Sequence, residues 1–461
     1  MILSPRLYQN SRWPDRWVRF IVFNLVRLFY PRIEVRGREN LPLEGPVIFV
    51  LNHPNGLFDP ILLMVGLARP VSFLAMSLLF GNPVGKFFCE AFGAMPIYRP
   101  KDDGKRGGPR GDAAERNEEI FARCRALLRA GGSMALFPEG KTHSGSQLLN
   151  LRTGAARIAL SAEVEAAWQA GVQVVPVGLW YESKIHFRTS VLLVVGQPFE
   201  VADYAEAYAA EAHQAARDVT ERIKAGLDEV VLQAENAELL AAIPVLAAWT
   251  APTEAPLALA EHHGWTAQLF AAYEYLFQHE PARLEEIARQ ARSYATTLQA
   301  LGLNDPWTLE LPIADPRHIA RLLGHLAVGF PFALVGFLLT YLPYRLAGPV
   351  AIWLIGKDKT QISTFKLIGG SLFVLVGFVI ELVGCGLWLG WGWALLLLLA
   401  GPPLAYIALR WGEQWRELRL LLAANWFRLR KSELTRQLTQ QRQTLAHQVR
   451  EVVQRASSHL E

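Results

Sequence analysis

The fold is decided by the run Pro46-Val47-Ile48-Phe49-Val50-Leu51, which Asn52-His53-Pro54-Asn55-Gly56-Leu57-Phe58-Asp59-Pro60 follows directly. The first run is apolar, rich in β-branched residues and bounded by a turn signal, so it predicts a buried strand. Comparable runs recur at residues 71–75, 133–137, 172–179 and 191–195, with helical stretches at 113–130 and 152–170. Strands that alternate with helices predict an α/β fold, with a mostly parallel sheet flanked by helices.

The composition of the 461-residue chain indicates several modules and contact with lipid. Hydrophobic residues make up 51% of the chain and the mean hydropathy is +0.17, both high for a soluble protein. The net charge of +4 suits an anionic membrane surface or anionic substrates, but it is no nucleic-acid footprint. The three cysteines predict no metal site and no disulfide framework, and the N-terminus lacks a secretory pattern. We therefore expect the α/β part to lie in the cytoplasm.

Two apolar stretches, 322–342 and 367–409, predict membrane-embedded helices. The second has Glu381 as its only charged residue and is long enough for two helices joined at 384–392. Basic residues flank both ends of this hairpin and none lies at its tip, which predicts that both ends are cytoplasmic. For 322–355, a broken or re-entrant pair of helices fits better than one straight span. A large buried helical core is the alternative for the whole region.

These patterns divide the chain into five parts. They are an interfacial amphipathic helix at 1–31, the α/β domain at 32–232, a helical region at 233–317, membrane-embedded helices at 318–410 and a polar C-terminal helix at 411–461. In the first part, aromatic residues and arginines recur at helical spacing, as at a membrane interface. A surface helix packed on the protein's own core is the alternative. The weak apolar stripe of the last part allows a coiled coil without requiring one.

His53 and Asp59 form the candidate catalytic pair. They lie in a turn at the carboxyl end of a predicted strand, where open α/β sheets place their sites. A hydrogen bond to the carboxylate would fix the imidazole tautomer, and the other ring nitrogen would take a proton from a substrate hydroxyl. The turn has no serine or cysteine for a covalent intermediate, so direct attack of that hydroxyl on an acyl thioester is the simplest reaction. A histidine that caps a helix beside an ordinary turn aspartate is the alternative.

Three further pieces add anion-binding groups and an apolar strand. They are FPEGKT at 137–142, GAMPIYR at 93–99 and VVPVG at 174–178. Backbone N–H groups around Gly140, with Lys141, suit a phosphate, and Arg99 offers a second, bidentate partner. The third piece lines an acyl channel or is only a strand. The insert at 99–112, rich in glycine and charge, predicts a mobile loop that is either a solvated connection or a basic flap.

In their order along the chain, these four pieces resemble the four blocks of the PlsC-type glycerolipid acyltransferase family, over roughly residues 33–200. The resemblance implies a PlsC-like acyltransferase domain in which His53 and Asp59 form the catalytic dyad. It implies that Arg99, Glu139 and Gly140 bind the glycerol-phosphate group of the acceptor. We add Asn52 and Lys141 to this substrate-binding set and place Pro176 beside the acyl site.

One departure from the family pattern concerns spacing. The usual motif has four residues between the histidine and the aspartate, whereas five separate His53 from Asp59. Either the turn bulges by one residue or the aspartate orients the histidine less tightly. Similar spacing, together with a C-terminal membrane region, resembles the branch of fungal-type glycerol-3-phosphate and dihydroxyacetone-phosphate acyltransferases.

We therefore expect an O-acyltransferase that moves a fatty acyl group from acyl-CoA or acyl-carrier protein to glycerol 3-phosphate or 1-acyl-glycerol 3-phosphate, in phospholipid biosynthesis. The alternatives are another acceptor (dihydroxyacetone phosphate, a different lysophospholipid or an amine) and a catalytically silent membrane scaffold. The expected partners are the thioester, the acceptor and membrane lipids, without nucleic acid, cofactor or metal, and the oligomeric state stays open. The expected location is the membrane, with several crossings and the catalytic domain facing the cytoplasm.

Overall fold

The structure is a computed structural model that describes residues 13–67, 69–99, 113–143, 145–184, 186–252, 257–301, 316–355, 362–430 and 432–460. The insert expected to be a loop or flap lies outside the described residues, apart from its first residue, Arg99. The chain divides into two compact units, which are residues 1–237 with 358–367, and residues 238–357 with 368–461.

The first unit is built on a mixed sheet. Its strands are β1 (Arg32–Arg36), β2 (Val47–Leu51), β3 (Ser72–Met76), β4 (Ala94–Ile97), β5 (Ser133–Leu136), β6 (Gln173–Tyr181), β7 (Ser190–Val195) and β8 (Phe199–Glu200). The strand order is β1-β7-β6-β2-β5-β3-β4, with β8 added beside β6. Only the pairs that β6 makes with β7 and β8 are antiparallel. The predicted α/β fold with a mostly parallel sheet is therefore confirmed.

Helices cover this sheet. They are α1 (Trp13–Phe29), α2 (Phe58–Leu67), α3 (Pro83–Ala91), α4 (Ala113–Arg129), α5 (Gly154–Glu165), α6 (Ala205–Ala210) and α7 (Ala212–Val230). One face of α1, with Phe23, Val26 and Phe29, is buried in the same core as the sheet. The opposite side exposes large apolar side chains, namely Trp13, Trp17, Phe20 and Ile21. Packing on the protein's own core is thus observed for one face of α1, and contact of its exposed face with a membrane stays a prediction.

The central strand β2 explains why the site forms where it does. All five of its residues are fully buried, as the uninterrupted apolar run predicts for a strand covered on both faces. Strand β2 pairs in parallel with β5 on one side and with β6 on the other. The carboxyl ends of these three strands therefore meet at one edge of the sheet, and the His53 turn continues directly from β2.

The second unit is helical. The remaining helices are α8 (Ala237–Thr250), α9 (Leu259–His279), α10 (Pro281–Ala300), α11 (Pro316–Ile355), α12 (Ile362–Trp388), α13 (Trp391–Arg430) and α14 (Ser432–Leu460). The apolar stripe of α14, including Leu445, Val449 and Val452, is buried in a core shared with α8, α9 and α10. The stripe thus packs within the chain itself. The polar C-terminal helix begins at Ser432 rather than at residue 411, because α13 continues to Arg430.

Three helices of the described chain are long and apolar enough to cross a membrane, over Pro316–Tyr341, Gly369–Trp388 and Trp391–Ala423. The predicted hairpin joint is found where α12 ends and α13 begins, at Gly390 with its positive φ of 99°. The expectation of a broken or re-entrant pair at 322–355 is wrong, because α11 is one continuous helix. Its Gly336 lies against the backbone of α13, where a Cβ would come within 2.0 Å of the carbonyl oxygen of Leu404. Glycine allows this close helix–helix contact.

Candidate active site

The turn between His53 and Asp59 absorbs the extra residue of the motif. Gly56 takes a positive φ of 53°, a conformation that glycine adopts easily. The backbone N–H groups of Phe58 and Asp59 donate to the carbonyls of Asn55 and Gly56, so helix α2 starts immediately after the turn. Asp59 lies in the first turn of α2, where the helix dipole favours a negative charge. The turn thus keeps Asp59 within hydrogen-bond distance of His53 despite the unusual spacing.

The carboxylate of Asp59 is fully buried and accepts three hydrogen bonds. Its Oδ2 lies 2.8 Å from His53 Nδ1 and accepts the backbone N–H of Asn55 at 2.9 Å. Its Oδ1 accepts the hydroxyl of Tyr181 at 2.5 Å. Burial, followed by the charge of Asp59, raises the pKa of Tyr181 well above its ordinary value, so this phenol remains a donor. These three hydrogen bonds offset the cost of burying the carboxylate.

The imidazole of His53 is held in one orientation. It stacks on the ring of Phe137, with ring centroids 4.1 Å apart, and its side chain is 18% exposed. Since Nδ1 faces an ionised carboxylate, it carries the proton, which leaves the lone pair on Nε2. Within the described part of the chain Nε2 has no hydrogen-bond partner. This nitrogen has the properties of a general base that is open to a substrate hydroxyl.

Glu139 connects this turn to the loop after β5. Its buried Oε1 accepts the backbone N–H of His53 at 3.1 Å. Its Oε2 accepts the backbone N–H of Leu149 at 3.0 Å and a hydrogen bond from His143 Nε2. The backbone N–H of His143 in turn donates to the carbonyl of His53. The structure therefore shows Glu139 bonded to protein groups around the dyad, and its role in substrate binding stays a prediction.

Gly140 leaves room for a cation that the sequence motifs did not single out. It has a positive φ of 69°, and a Cβ at this position would lie 2.8 Å from Nε of Arg152. The N–H of Gly140 is used in a turn to the carbonyl of Phe137, so it is not free to hold a phosphate as expected. Arg152 is exposed and lies just before α5, and the exposed Lys141 is beside Gly140 in the chain. A basic residue at the start of the helix predicted for 152–170 is the signal that could have identified Arg152.

The other predicted site residues differ in their surroundings. Arg99 follows β4, and its guanidinium lies 2.8 Å from Sδ of Met76 at the end of β3. The amide of Asn52 exchanges two hydrogen bonds with the backbone of Leu179, which ties β2 to β6. Pro176 is buried in β6 and packs against Gly226 of α7. The binding roles given to these three residues remain predictions.

Lys184, three residues beyond the end of β6, has a lowered pKa because burial disfavours its charge, although the charge of Asp59 acts in the opposite direction. No sequence motif pointed to it. Among the described residues there is no group of three or more histidine, cysteine, aspartate or glutamate side chains that could hold a metal ion.

The fold and this site define a class of protein: an α/β domain in which a partly exposed histidine contacts a buried aspartate at the carboxyl edge of a largely parallel sheet. Residues 32–180 match the family described as Acyltransferase. These residues thus form an acyltransferase-type domain, and the resemblance inferred from the four sequence blocks is confirmed.

Relatives extend the similarity beyond that domain. The chain is 25% identical to an uncharacterized acyltransferase of Schizosaccharomyces pombe, over 65% of this chain and 54% of the relative. It is 23% identical to glycerol-3-phosphate O-acyltransferase 1 of Saccharomyces cerevisiae, over 80% of this chain and 59% of the relative. It is 29% identical to a chloroplastic 1-acyl-sn-glycerol-3-phosphate acyltransferase of Arabidopsis thaliana, over 34% of this chain and 38% of the relative. The chain thus spans only a little over half the length of the two yeast proteins.

Proposed function

We propose that this protein is a membrane-bound O-acyltransferase that moves a fatty acyl group from a thioester to a hydroxyl group of a glycerol-phosphate acceptor. The observation that carries the proposal is the 2.8 Å contact of His53 Nδ1 with the buried carboxylate of Asp59, in a domain of the acyltransferase family. This contact leaves Nε2 of His53 as the proton acceptor of the site.

The proposed reaction needs only this base. His53 Nε2 takes the proton of the acceptor hydroxyl as its oxygen attacks the thioester carbonyl. The C–S bond then breaks, and the departing thiolate receives the proton from the imidazolium. Asp59 stabilises the imidazolium between these two steps, because its negative charge lies against Nδ1. The acyl-CoA or acyl-carrier protein donor of this scheme is part of the proposal.

The acceptor class is supported by charge. Three basic side chains lie in the loops of this domain: Arg99 follows β4, Lys141 follows β5 and Arg152 precedes α5. Guanidinium groups bind phosphate in a bidentate manner. The relatives are named for glycerol 3-phosphate and 1-acyl-glycerol 3-phosphate, which supports one of these two as the acceptor. Dihydroxyacetone phosphate, another lysophospholipid and an amine-bearing lipid are the competing acceptors that the assay must include.

The membrane attachment that we propose has two components. Helices α12 and α13 cross the bilayer as a hairpin with its basic ends on the cytoplasmic side, and α11 is embedded in the same membrane beside α13. The exposed aromatic face of α1, with Trp13, Trp17 and Phe20, lies at the membrane interface. The catalytic domain then faces the cytoplasm, where its lipid product can enter the same membrane.

The test is an acceptor panel assayed with the purified full-length protein in detergent or nanodiscs. Labelled acyl-CoA and acyl-carrier protein are supplied in turn with each of the five acceptor types, and the His53→Ala and His213→Ala variants are compared. We expect transfer to a glycerol phosphate, a loss of about 10²–10⁴-fold for His53→Ala and normal activity for the α7 surface variant His213→Ala. Full activity of His53→Ala would refute the mechanism, and no thioester consumption with any acceptor would favour the silent scaffold.

A further inference from the structure

Tyr181 is a buried side chain that bonds to the dyad but takes no part in the proposed reaction. We infer that Tyr181 is a positioning residue, an inference that rests on the proposed role of His53. Tyr181 holds the carboxylate of Asp59 in the orientation that brings Oδ2 to His53 Nδ1. Tyr181 is the last residue of β6, next to the central strand that carries the His53 turn. Its ring is only 8% exposed.

The two carboxylate oxygens of Asp59 have different partners. His53 and the backbone N–H of Asn55 both bond to Oδ2 of Asp59, whereas Tyr181 bonds to Oδ1. Bonds to Oδ2 restrain the rotation of the carboxylate about its bond to Cβ from one side only. The bond from Tyr181 restrains the other oxygen and so makes the plane of the group more rigid. Loss of the Tyr181 hydroxyl would also leave a buried charged oxygen with an unmade hydrogen bond, which is unfavourable.

A second tyrosine supports the turn from another direction. The hydroxyl of Tyr30 accepts a hydrogen bond from Asn55 Nδ2 at 3.1 Å, and Tyr30 is fully buried directly after α1. Its ring lies 5.3 Å from that of Phe58 and 5.7 Å from that of Tyr181, measured between centroids. The two tyrosines thus lie against the same turn, where Tyr30 accepts a hydrogen bond from Asn55 and Tyr181 donates one to Asp59.

This arrangement predicts an effect on catalysis rather than on substrate binding. The hydroxyl of Tyr181 donates its hydrogen bond to Asp59. Removal of this hydroxyl therefore changes the orientation of the base without removing a substrate contact. Tyr181→Phe should lower kcat by about 10–100-fold and change KM for either substrate by less than about twofold. Because the effect passes through Asp59, Tyr181→Phe should change little once Asp59 has already been replaced by asparagine.

The experiment is a double-mutant cycle on the full-length protein. Tyr181→Phe, Asp59→Asn and the double variant are measured for kcat, KM and thermal unfolding, with Tyr208→Phe as the control, since Tyr208 of α6 packs on Trp168 away from the dyad. The expected result is a loss of kcat for each single variant, no further loss in the double variant, and normal activity for Tyr208→Phe.

Three results would overturn the inference. They are unchanged kcat for Tyr181→Phe, an equal loss in the wild-type and Asp59→Asn backgrounds, and a loss confined to protein with a lowered unfolding temperature. The proposed function fails in a different way, through an active His53→Ala variant. The two failures are therefore distinguishable.

Discussion

His53 Nδ1 lies 2.8 Å from Asp59 Oδ2, although five residues separate the two in the chain. Asn55 makes this contact possible, because its backbone N–H donates to the same oxygen while its side chain bonds to Tyr30. The backbone of this turn therefore supplies a further donor to the carboxylate, and the pair stays in contact despite the longer spacing. A spacing that departs from the family motif is compatible with an intact histidine–aspartate pair.

Replacement of Asp59 by asparagine tests whether this contact matters for turnover. The amide keeps the shape of the side chain but removes the charge that stabilises the imidazolium. Its N–H can also donate to Nδ1, which would place the imidazole proton on Nε2. We expect Asp59→Asn to lower kcat by about 10²–10⁴-fold in the thioester assay. The control is Asp203→Asn, a change at an exposed carboxylate near the start of α6, which should leave kcat unchanged. Equal activity of the two variants would mean that Asp59 does not orient the base.

Gly140 and Gly131 provide a matched pair of substitutions for the acceptor site. Both glycines are exposed and have positive φ angles, 69° and 77°, so alanine is strained at either position by about 1 kcal/mol. Only at Gly140 does the new methyl group meet Arg152, whereas nothing lies within 4 Å at Gly131. We expect Gly140→Ala to raise KM for the phosphate acceptor about 10-fold or more, because it displaces the guanidinium.

The comparison also separates strain from displacement. Gly131→Ala should lower the unfolding temperature by a similar amount while leaving KM for the acceptor unchanged. Equal KM values for the two variants would indicate that Arg152 does not contact the acceptor. A rise in KM for the thioester alone would assign Arg152 to the donor instead.

Much of the first unit follows from sequence because its signals are local. The apolar run at 46–51 is long enough to specify a buried strand, and the turn that follows it contains both members of the dyad. Strands β1 and β4 did not stand out, since β1 alternates charged residues (Arg32, Glu34, Arg36) with only two apolar ones. Such short edge segments become strands through their neighbours, here the parallel pairing of β1 with β7.

The residues that sequence reasoning missed depend on contacts between distant segments. Tyr181 reaches Asp59 only because β6 lies beside β2, and Arg152 reaches Gly140 only because the loop after β5 folds back before α5. The expectation that α11 is broken failed for a similar reason, since it also depended on a contact that the sequence does not show. Its glycines look like interruptions in sequence, yet Gly336 is the point of close contact with α13. Contacts between segments that are distant in the chain, which no local pattern reports, decide all three cases.

The orientation of the membrane hairpin can be tested with single cysteines. Leu389 lies at the tip between α12 and α13 and is 68% exposed, whereas Gln440 is an exposed residue of α14. In a variant without its three natural cysteines, Leu389→Cys should react with a membrane-impermeant maleimide in intact cells. Gln440→Cys should react only after permeabilisation, because the basic ends of the hairpin favour the cytoplasm. The reverse labelling pattern would invert the topology, and labelling of both positions in intact cells would exclude a spanning hairpin.

Cys124 of α4 should be the slowest thiol of the first unit to be alkylated. Burial raises its pKa from 9.0 to about 11, and Cys124 is fully buried, whereas Cys89 is half-buried with a smaller rise in its pKa. At pH 8 both thiols are mostly protonated, and Cys124 has about 100-fold less thiolate than an ordinary cysteine. Alkylation should therefore modify Cys89 first, as read by mass spectrometry of the peptides. Faster modification of Cys124 than of Cys89 in the native protein would contradict the packing of α4 against the sheet.

The raised pKa of Cys124 also makes stability depend on pH. Because the thiol keeps its proton in the folded form, its contribution to stability is complete below pH 9 and is lost as the pH rises towards 11. Cys124→Ala should consequently show a smaller fall in unfolding temperature between pH 9 and pH 11 than the wild-type protein.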